Sequence, residues 1–180
     1  MKYTAAGARI SGDGIYRYSL WRDWRHSCTD ITNLHMKTCL FIMLNPSTAD
    51  ADADDPTIRR CVAFAKGFGY DGLEVVNLFA YRATRPSELF EYPKTGGDPV
   101  GWENQKYITQ AATAARLIIC AWGAHGGFIG QDETVKGWLE DTGKPLYALG
   151  LTKDGHPRHP LYLPSNTQLI QITKPPGTSP

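Results

Sequence analysis

The sequence has almost no net charge, because 19 lysine and arginine residues balance 18 aspartate and glutamate residues. The formal net charge is +1. Such a chain has no overall electrostatic field that would draw it toward a polyanion. Any contact with nucleic acid is therefore expected to be local.

Cysteine is scarce as well, and no apolar run is long enough to span a bilayer. The four cysteines, Cys28, Cys39, Cys61 and Cys120, form no C-x-x-C pair, and we expect them to be reduced. The opening residues MKYTAAGARISGDG lack the apolar centre of a signal peptide. These absences predict a cytoplasmic protein without a membrane partner.

Apolar residues are plentiful enough for a sizeable core, since 42% of the 180 residues are hydrophobic. We expect one domain over residues 1–173. The tail over residues 174–180 carries three prolines and no core residue, so we expect it to be disordered. No oligomerisation pattern is visible, and we expect a monomer.

Apolar runs alternate with helical patterns along the chain. The runs that predict buried strands are Cys39–Leu44, Gly72–Val76, Leu117–Ala121 and Pro145–Leu149. Stripes at helical spacing predict helices over Ile58–Ala65, Ile108–Ala115 and Asp132–Glu140. This alternation predicts an α/β fold with three α/β/α layers and a central, mainly four-stranded parallel sheet. A Gly-Asp-Gly turn within Ala8–Trp24 adds a β-hairpin at one edge of the sheet.

Polar residues follow the predicted strands at the point where each strand ends. They are Asn45, Asn77, the Trp122-Gly123 turn and the loop from His156 to His159. The carboxyl ends of parallel strands meet at one edge of a sheet, where ligands bind. Amides and neutral imidazoles both donate and accept hydrogen bonds, which suits a planar ligand such as a nucleobase. Ordinary strand-to-helix turns are the competing interpretation.

Two charged segments are open to two interpretations each. The acidic run of Asp50, Asp52, Asp54 and Asp55 either caps a helix or supplies a general base or metal ligand, for which Asp50 is the best candidate. No cofactor is expected. The second segment consists of Arg22, Trp24, Arg25 and His26. These residues either stack on bases or form a charged rim around a structural tryptophan.

The order of these motifs resembles the uracil-DNA glycosylase superfamily. Leu44-Asn45-Pro46-Ser47 is similar to its water-positioning motif, although Ser47 stands where a glycine is common. Val75-Val76-Asn77-Leu78 with Arg82 is similar to a second motif, and His159-Pro160-Leu161 to the closing His-Pro loop. Over nearly its full length, the chain also resembles an uncharacterised bacterial and phage domain family that has the Asn-Pro-Ser-Thr-Ala-Asp signature.

The superfamily resemblance implies cleavage of an N-glycosidic bond to an unusual or modified base in DNA. In that scheme Asn77 reads the flipped base, His159 stabilises the departing base, and Asn45 orients the attacking water. His156 competes with His159 for that role, but Pro160-Leu161 favours His159. The remaining substrate-binding candidates are Pro46, Ser47, Phe79, Arg82, Trp122, Gly123, His156 and Arg158. The sequence leaves open an enzyme acting on a free nucleotide, or modifying the base, and a non-catalytic binding module.

Overall fold

The computed structural model describes residues 3–24, 37–47, 49–51 and 53–173. Within these ranges the strands are β1 (Ala5–Ile10), β2 (Arg17–Asp23), β3 (Thr38–Met43), β4 (Gly72–Asn77), β5 (Leu117–Cys120), β6 (Leu146–Ala148) and β7 (Ile170–Gln171). The α-helices are α1 (Pro56–Gly67), α2 (Pro86–Glu91), α3 (Asn104–Ala114) and α4 (Gln131–Glu140). Short 3-10 helices cover Tyr92–Thr95, Phe128–Gly130 and Pro160–Tyr162.

The strands of the described residues form one mixed sheet in the order β1-β2-β4-β3-β5-β6-β7. β3 pairs in parallel with β4 and β5, and β5 pairs in parallel with β6. Antiparallel pairs extend the sheet at both ends, with the β1–β2 hairpin beside β4 and β7 beside β6. The predicted α/β class is confirmed, but the sheet is wider than expected. β7 escaped prediction because two residues are too short to show an alternating pattern.

Side chains alternate between the two faces along the central strands, and those on both faces are apolar, so helices cover both faces of the sheet. Cys39, Phe41 and Met43 of β3 pack on the same side as α1. Leu40 and Ile42 pack on the opposite side with α3 and α4. The two buried clusters therefore hold the carboxyl ends of the central strands in a fixed position between the helical layers.

α1 begins where the sequence pattern places it. The Asp55 carboxylate accepts a hydrogen bond from the Ile58 amide at 2.8 Å, and Pro56 occupies the first helical position. The predicted apolar stripe is buried, including Cys61 and Val62. This cap fixes the start of α1 beside the end of β3, where the first strand-end asparagine lies.

The segment from Tyr92 to Pro99 is rich in proline and glycine. It follows α2 and contains a 3-10 helix, and the Tyr92 ring stacks on Tyr81 with 3.8 Å between centroids. Gly97 lies so close to that ring that a Cβ atom would be 2.4 Å from it. Ring packing therefore holds a segment whose sequence carries no periodic pattern.

Several predictions lie outside the described residues. They concern Arg25, His26, Cys28, Asp52 and the tail over residues 174–180. Cys39, Cys61 and Cys120 are free, buried thiols. None of the helices in the described part of the chain combines the length and the hydropathy needed to cross a membrane.

Candidate nucleobase-binding cleft

A cleft of about 720 Å³ opens at the edge of the sheet where β3, β4 and β5 end. Its predicted members are Asn45, Ser47, Asn77, Trp122, Gly123 and His159. The α1 start at Asp55–Ile58, the start of β2 at Arg17, and the segment containing Thr84 and Pro86 complete its walls together with His125, Leu161 and Tyr162. The topology thus brings together residues that are up to 145 positions apart in the sequence.

Asn77 lies at the floor of the cleft and is only 1% exposed. Neither its Nδ2 nor its Oδ1 has a hydrogen-bond partner among the described residues. Burying an amide without a partner costs about 1–3 kcal/mol, so most buried amides in folded proteins are paired. Asn77 therefore holds an unused donor and an unused acceptor at the wall of the cleft.

Asn45 is held in one orientation at the end of β3. Its Nδ2 donates to the Ala83 carbonyl at 2.7 Å and to the Pro46 carbonyl at 3.1 Å. The assignment of the amide follows from these two acceptors and leaves Oδ1 as the group that faces a ligand or a water molecule. Pro46 does not line the cleft; its carbonyl anchors Asn45 and also accepts from the Ala83 amide.

His159 is held as a neutral hydrogen-bond donor. Its Nδ1 accepts from the Leu161 amide at 3.3 Å, which places the proton of the neutral ring on Nε2. Burial lowers the pKa of His159 below 6.5, and the negative charge of Asp55 partly opposes that shift. Gly123, at a φ of +76°, lies beside the His159 Cβ and provides the tight turn that a side chain with a Cβ would disfavour.

Replacing Asp55 by Asn is expected to lower the pKa of His159 further. The change removes the negative charge that favours the imidazolium, while Asn still caps α1. Titration of the His159 ring by NMR measures the shift, with Asp132→Asn as the control that leaves it unchanged. In the native protein the pKa of His159 is lower in the folded state than in the unfolded state, so the contribution of His159 to the free energy of unfolding falls as the pH drops below about 6.5. A rise in the pKa of His159 in Asp55→Asn would contradict the arrangement.

Arg17 is a member of the cleft that the sequence pattern does not reveal. Tyr18 has no partner in β1, because Ile10 pairs with Arg17 and Arg9 with Ser19. This β-bulge turns Arg17 toward the cleft on the α1 side, while the Tyr18 ring stacks on Tyr107 of α3. The Arg17 guanidinium is almost fully buried, and burial lowers its pKa to about 10.

The carboxylate at the cleft is Asp55, and not Asp50 as predicted. The Asp50 side chain accepts from the Ala53 amide at 2.9 Å, and its carbonyl accepts from Arg22 at 2.6 Å. Asp54 pairs with the buried Arg22 at 2.8 Å. These contacts place Asp50 and Asp54 in the structure of their own loop. No three His, Cys, Asp or Glu residues in the described ranges are grouped to hold a metal ion.

Four further predicted substrate-binding residues do not line the cleft. Phe79 is buried in the opposite core, where its ring is 5.6 Å from that of Phe128. Arg82 donates to the Gly14 carbonyl at 3.1 Å, and His156 has Nδ1 3.8 Å from the Asp132 carboxylate. Arg158 is exposed on the outer side of its loop. Arg82, His156 and Arg158 are close in sequence to the cleft residues Ala83 and His159, but their own side chains lie outside the cleft.

The model of a family described as "Protein of unknown function (DUF1643)" matches residues 17–161. The chain belongs to the DUF1643 family. The match runs from Arg17 to Leu161, so it includes every residue that lines the cleft of this DUF1643 protein except Tyr162. No curated protein and no solved structure matches the chain. The likeness to the uracil-DNA glycosylase superfamily stays a prediction.

A second cleft of about 750 Å³ lies at the opposite edge of the sheet in this DUF1643 protein. Its principal cation, Lys144, donates to the carbonyls of Ala112 and Ala115 at 2.9 and 2.7 Å and to that of Thr113. Lys144 thereby satisfies the last carbonyls of α3, which is a structural role. The unpartnered buried groups of Asn77 and Arg17 make the first cleft the candidate functional site.

Proposed function

We propose that the cleft binds a nucleobase and hydrolyses its N-glycosidic bond, with an unusual or modified base in DNA as the substrate. The observation that carries this proposal is the buried Asn77 amide without a partner. A primary amide offers one acceptor and two donors in a plane, which matches the hydrogen-bonding edge of a pyrimidine or purine. A flipped base would satisfy both Nδ2 and Oδ1 of Asn77.

His159 provides the stabilisation that bond cleavage requires. When the bond between C1′ of the sugar and the base nitrogen breaks, its electron pair moves onto the base. A donor already aimed at that developing negative charge is worth about 3 kcal/mol. The neutral ring with its proton on Nε2 is such a donor and adds no competing charge in the ground state.

Asn45 and Asp55 act on the attacking water. The free Oδ1 of Asn45 accepts a hydrogen bond from the water and directs its oxygen toward C1′, where the new bond forms. Asp55, the carboxylate in the cleft, accepts the proton that the water loses. The released base takes its proton from solvent, which balances the reaction.

The rim of the cleft has an apolar group suited to a base stack. The Tyr162 side chain is 82% exposed beside the half-buried Leu161. Exposed aromatic rings stack on bases without sequence preference, at about 1–3 kcal/mol per base. In the proposed complex this 3-10 turn occupies the gap that the flipped nucleotide leaves in the duplex.

Release of free base is the test. The protein is incubated with single- and double-stranded DNA carrying uracil, hypoxanthine or hypermodified pyrimidines, and with the same nucleotides free in solution. Mass spectrometry measures the freed base. On the substrate so identified, we expect Asn45→Ala to lower kcat about 100-fold with little change in affinity, because water positioning is lost and base contacts are kept.

A control is His156→Ala, which removes an imidazole from the loop that carries His159 but outside the cleft, and which should retain full turnover. Unchanged turnover in Asn45→Ala would refute the assigned role of Asn45. Saturable binding of a base without release from any substrate would instead identify a non-catalytic binding module.

A further inference from the structure

Arg17 has an unusual environment for a buried cation. Its Nη1 donates to the Ala49 carbonyl at 2.6 Å, whereas Nε is buried without a partner, and Nη2 donates to no described residue. No carboxylate of the described residues forms an ion pair with it. Arg22, buried to the same extent on the same strand, is by contrast paired with Asp54 at 2.8 Å.

The two unused nitrogens of Arg17 lie on one side of the guanidinium. Nε and Nη2 form the planar fork that binds two oxygens of a phosphate or carboxylate at once. Nη1, on the other side, is fixed by Ala49 and orients the group. The edge suited to a bidentate oxyanion is therefore the one that the protein leaves unused.

The surroundings of Arg17 favour an anion as well. The cleft includes the first residues of α1, Pro56 to Ile58, and the amino end of a twelve-residue helix carries partial positive charge. Thr57 and Ser47 add hydroxyl donors to the same walls. Asp55 lies nearby; its Oδ1 is engaged by the Ile58 amide, and its negative charge favours the charged form of Arg17.

We propose that Arg17 binds a phosphate oxyanion of the substrate, so that the cleft takes a nucleotide unit and discriminates against a free base or nucleoside. The proposal rests on the function proposed above for Asn77. Arg17 and Asn77 lie on neighbouring strands of one cleft, since β2 pairs with β4. The base edge and the phosphate of one nucleotide would thus be recognised from adjacent positions.

The test measures binding of a nucleoside and of its 5′-monophosphate by calorimetry, with inorganic phosphate as a separate probe. We expect the monophosphate to bind about 10- to 100-fold more tightly than the nucleoside, as one charge-assisted pair provides. Arg17→Met should abolish that difference, and Arg17→Lys should restore part of it. Arg158→Met, which removes an exposed cation outside the cleft, should leave the difference unchanged.

The NMR signal of the Arg17 Nε–H group reports the contact itself. A saturable shift with inorganic phosphate supports the proposal. A mononucleotide that gives the larger shift identifies a terminal phosphate as the source, whereas an oligonucleotide without terminal phosphate that does so identifies the backbone.

Equal affinity of nucleoside and monophosphate in the native protein, or unchanged discrimination in Arg17→Met, would overturn the proposal. If Arg17 still responds to phosphate while Asn77→Leu keeps its nucleoside affinity, the proposed base site fails and the oxyanion site stands.

Discussion

Replacing Asn77 by Leu is expected to weaken nucleotide binding about 10- to 100-fold while raising the free energy of unfolding by about 1 kcal/mol. The binding loss follows because an apolar side chain offers neither the donor nor the acceptor that a base edge needs. The gain in stability follows because the native amide is buried with no partner among the described residues. Calorimetric titration and urea denaturation measure the two effects.

Asn104→Leu is the matched control for Asn77→Leu. Asn104 is also fully buried, but its Nδ2 donates to the carbonyls of Asn77 and Leu78, both at 3.0 Å. Its replacement leaves the Asn77 carbonyl without this donor, while the Leu78 carbonyl keeps Gln131 Nε2 at 3.3 Å, and it should lower the free energy of unfolding by about 1–3 kcal/mol. Opposite signs for the two asparagines would separate a ligand-binding amide from a structural one. A destabilised Asn77→Leu with native affinity would contradict the assigned role.

Replacing Arg22 by Met is expected to lower the free energy of unfolding by about 3 kcal/mol or more. The Arg22 side chain is 1% exposed, pairs with Asp54 at 2.8 Å and donates to the carbonyls of Trp21 and Asp50. Its removal leaves the half-buried Asp54 carboxylate with the Tyr3 hydroxyl but without a cation, and leaves the Trp21 and Asp50 carbonyls without this donor, which is among the costliest changes in a protein interior. The acidic loop would then lose one of its attachments to β2 and keep the hydrogen bond from Arg17 to the Ala49 carbonyl.

Arg85→Met provides the comparison for Arg22→Met. The Arg85–Glu88 pair has a similar distance, 2.8 Å, but the Arg85 side chain is 76% exposed. Exposed pairs contribute at most about 1 kcal/mol, so this variant should unfold close to the native denaturant midpoint. Equal effects of Arg22→Met and Arg85→Met would contradict the structural role given to the buried pair.

Ligands bind where parallel strands end, and this rule predicted the cleft residues that follow such strands directly. Asn45 and Asn77 lie in one cleft at the ends of β3 and β4, whose apolar runs are strong local signals, and His159 joins them from a position eleven residues past the end of β6. Phe79 shows the limit of this rule. Two residues past the end of β4, the chain has turned toward the opposite core, and no local pattern encodes that turn.

Arg17 and Asp55 show what local patterns omit. The position of Arg17 depends on a bulge that exists only once β1 and β2 are paired, so its orientation is a property of two segments together. The choice of Asp55 over Asp50 depends on where Arg22 holds the acidic loop. Helix capping by Asp55 was predicted. Its place in the wall of the cleft was not, because that place arises from the packing of α1 against β3.

The most direct test of the proposed base site is the NMR signal of the Asn77 side-chain amide in the native protein. The signal is followed while nucleosides and nucleotides with different bases are added one at a time. We expect one class of base to shift the Asn77 amide protons downfield to saturation, together with the ring signals of His159. If every base leaves both signals unchanged, or if saturable shifts occur only around Lys144 at the opposite edge, the cleft at the carboxyl ends of the strands is not the base site.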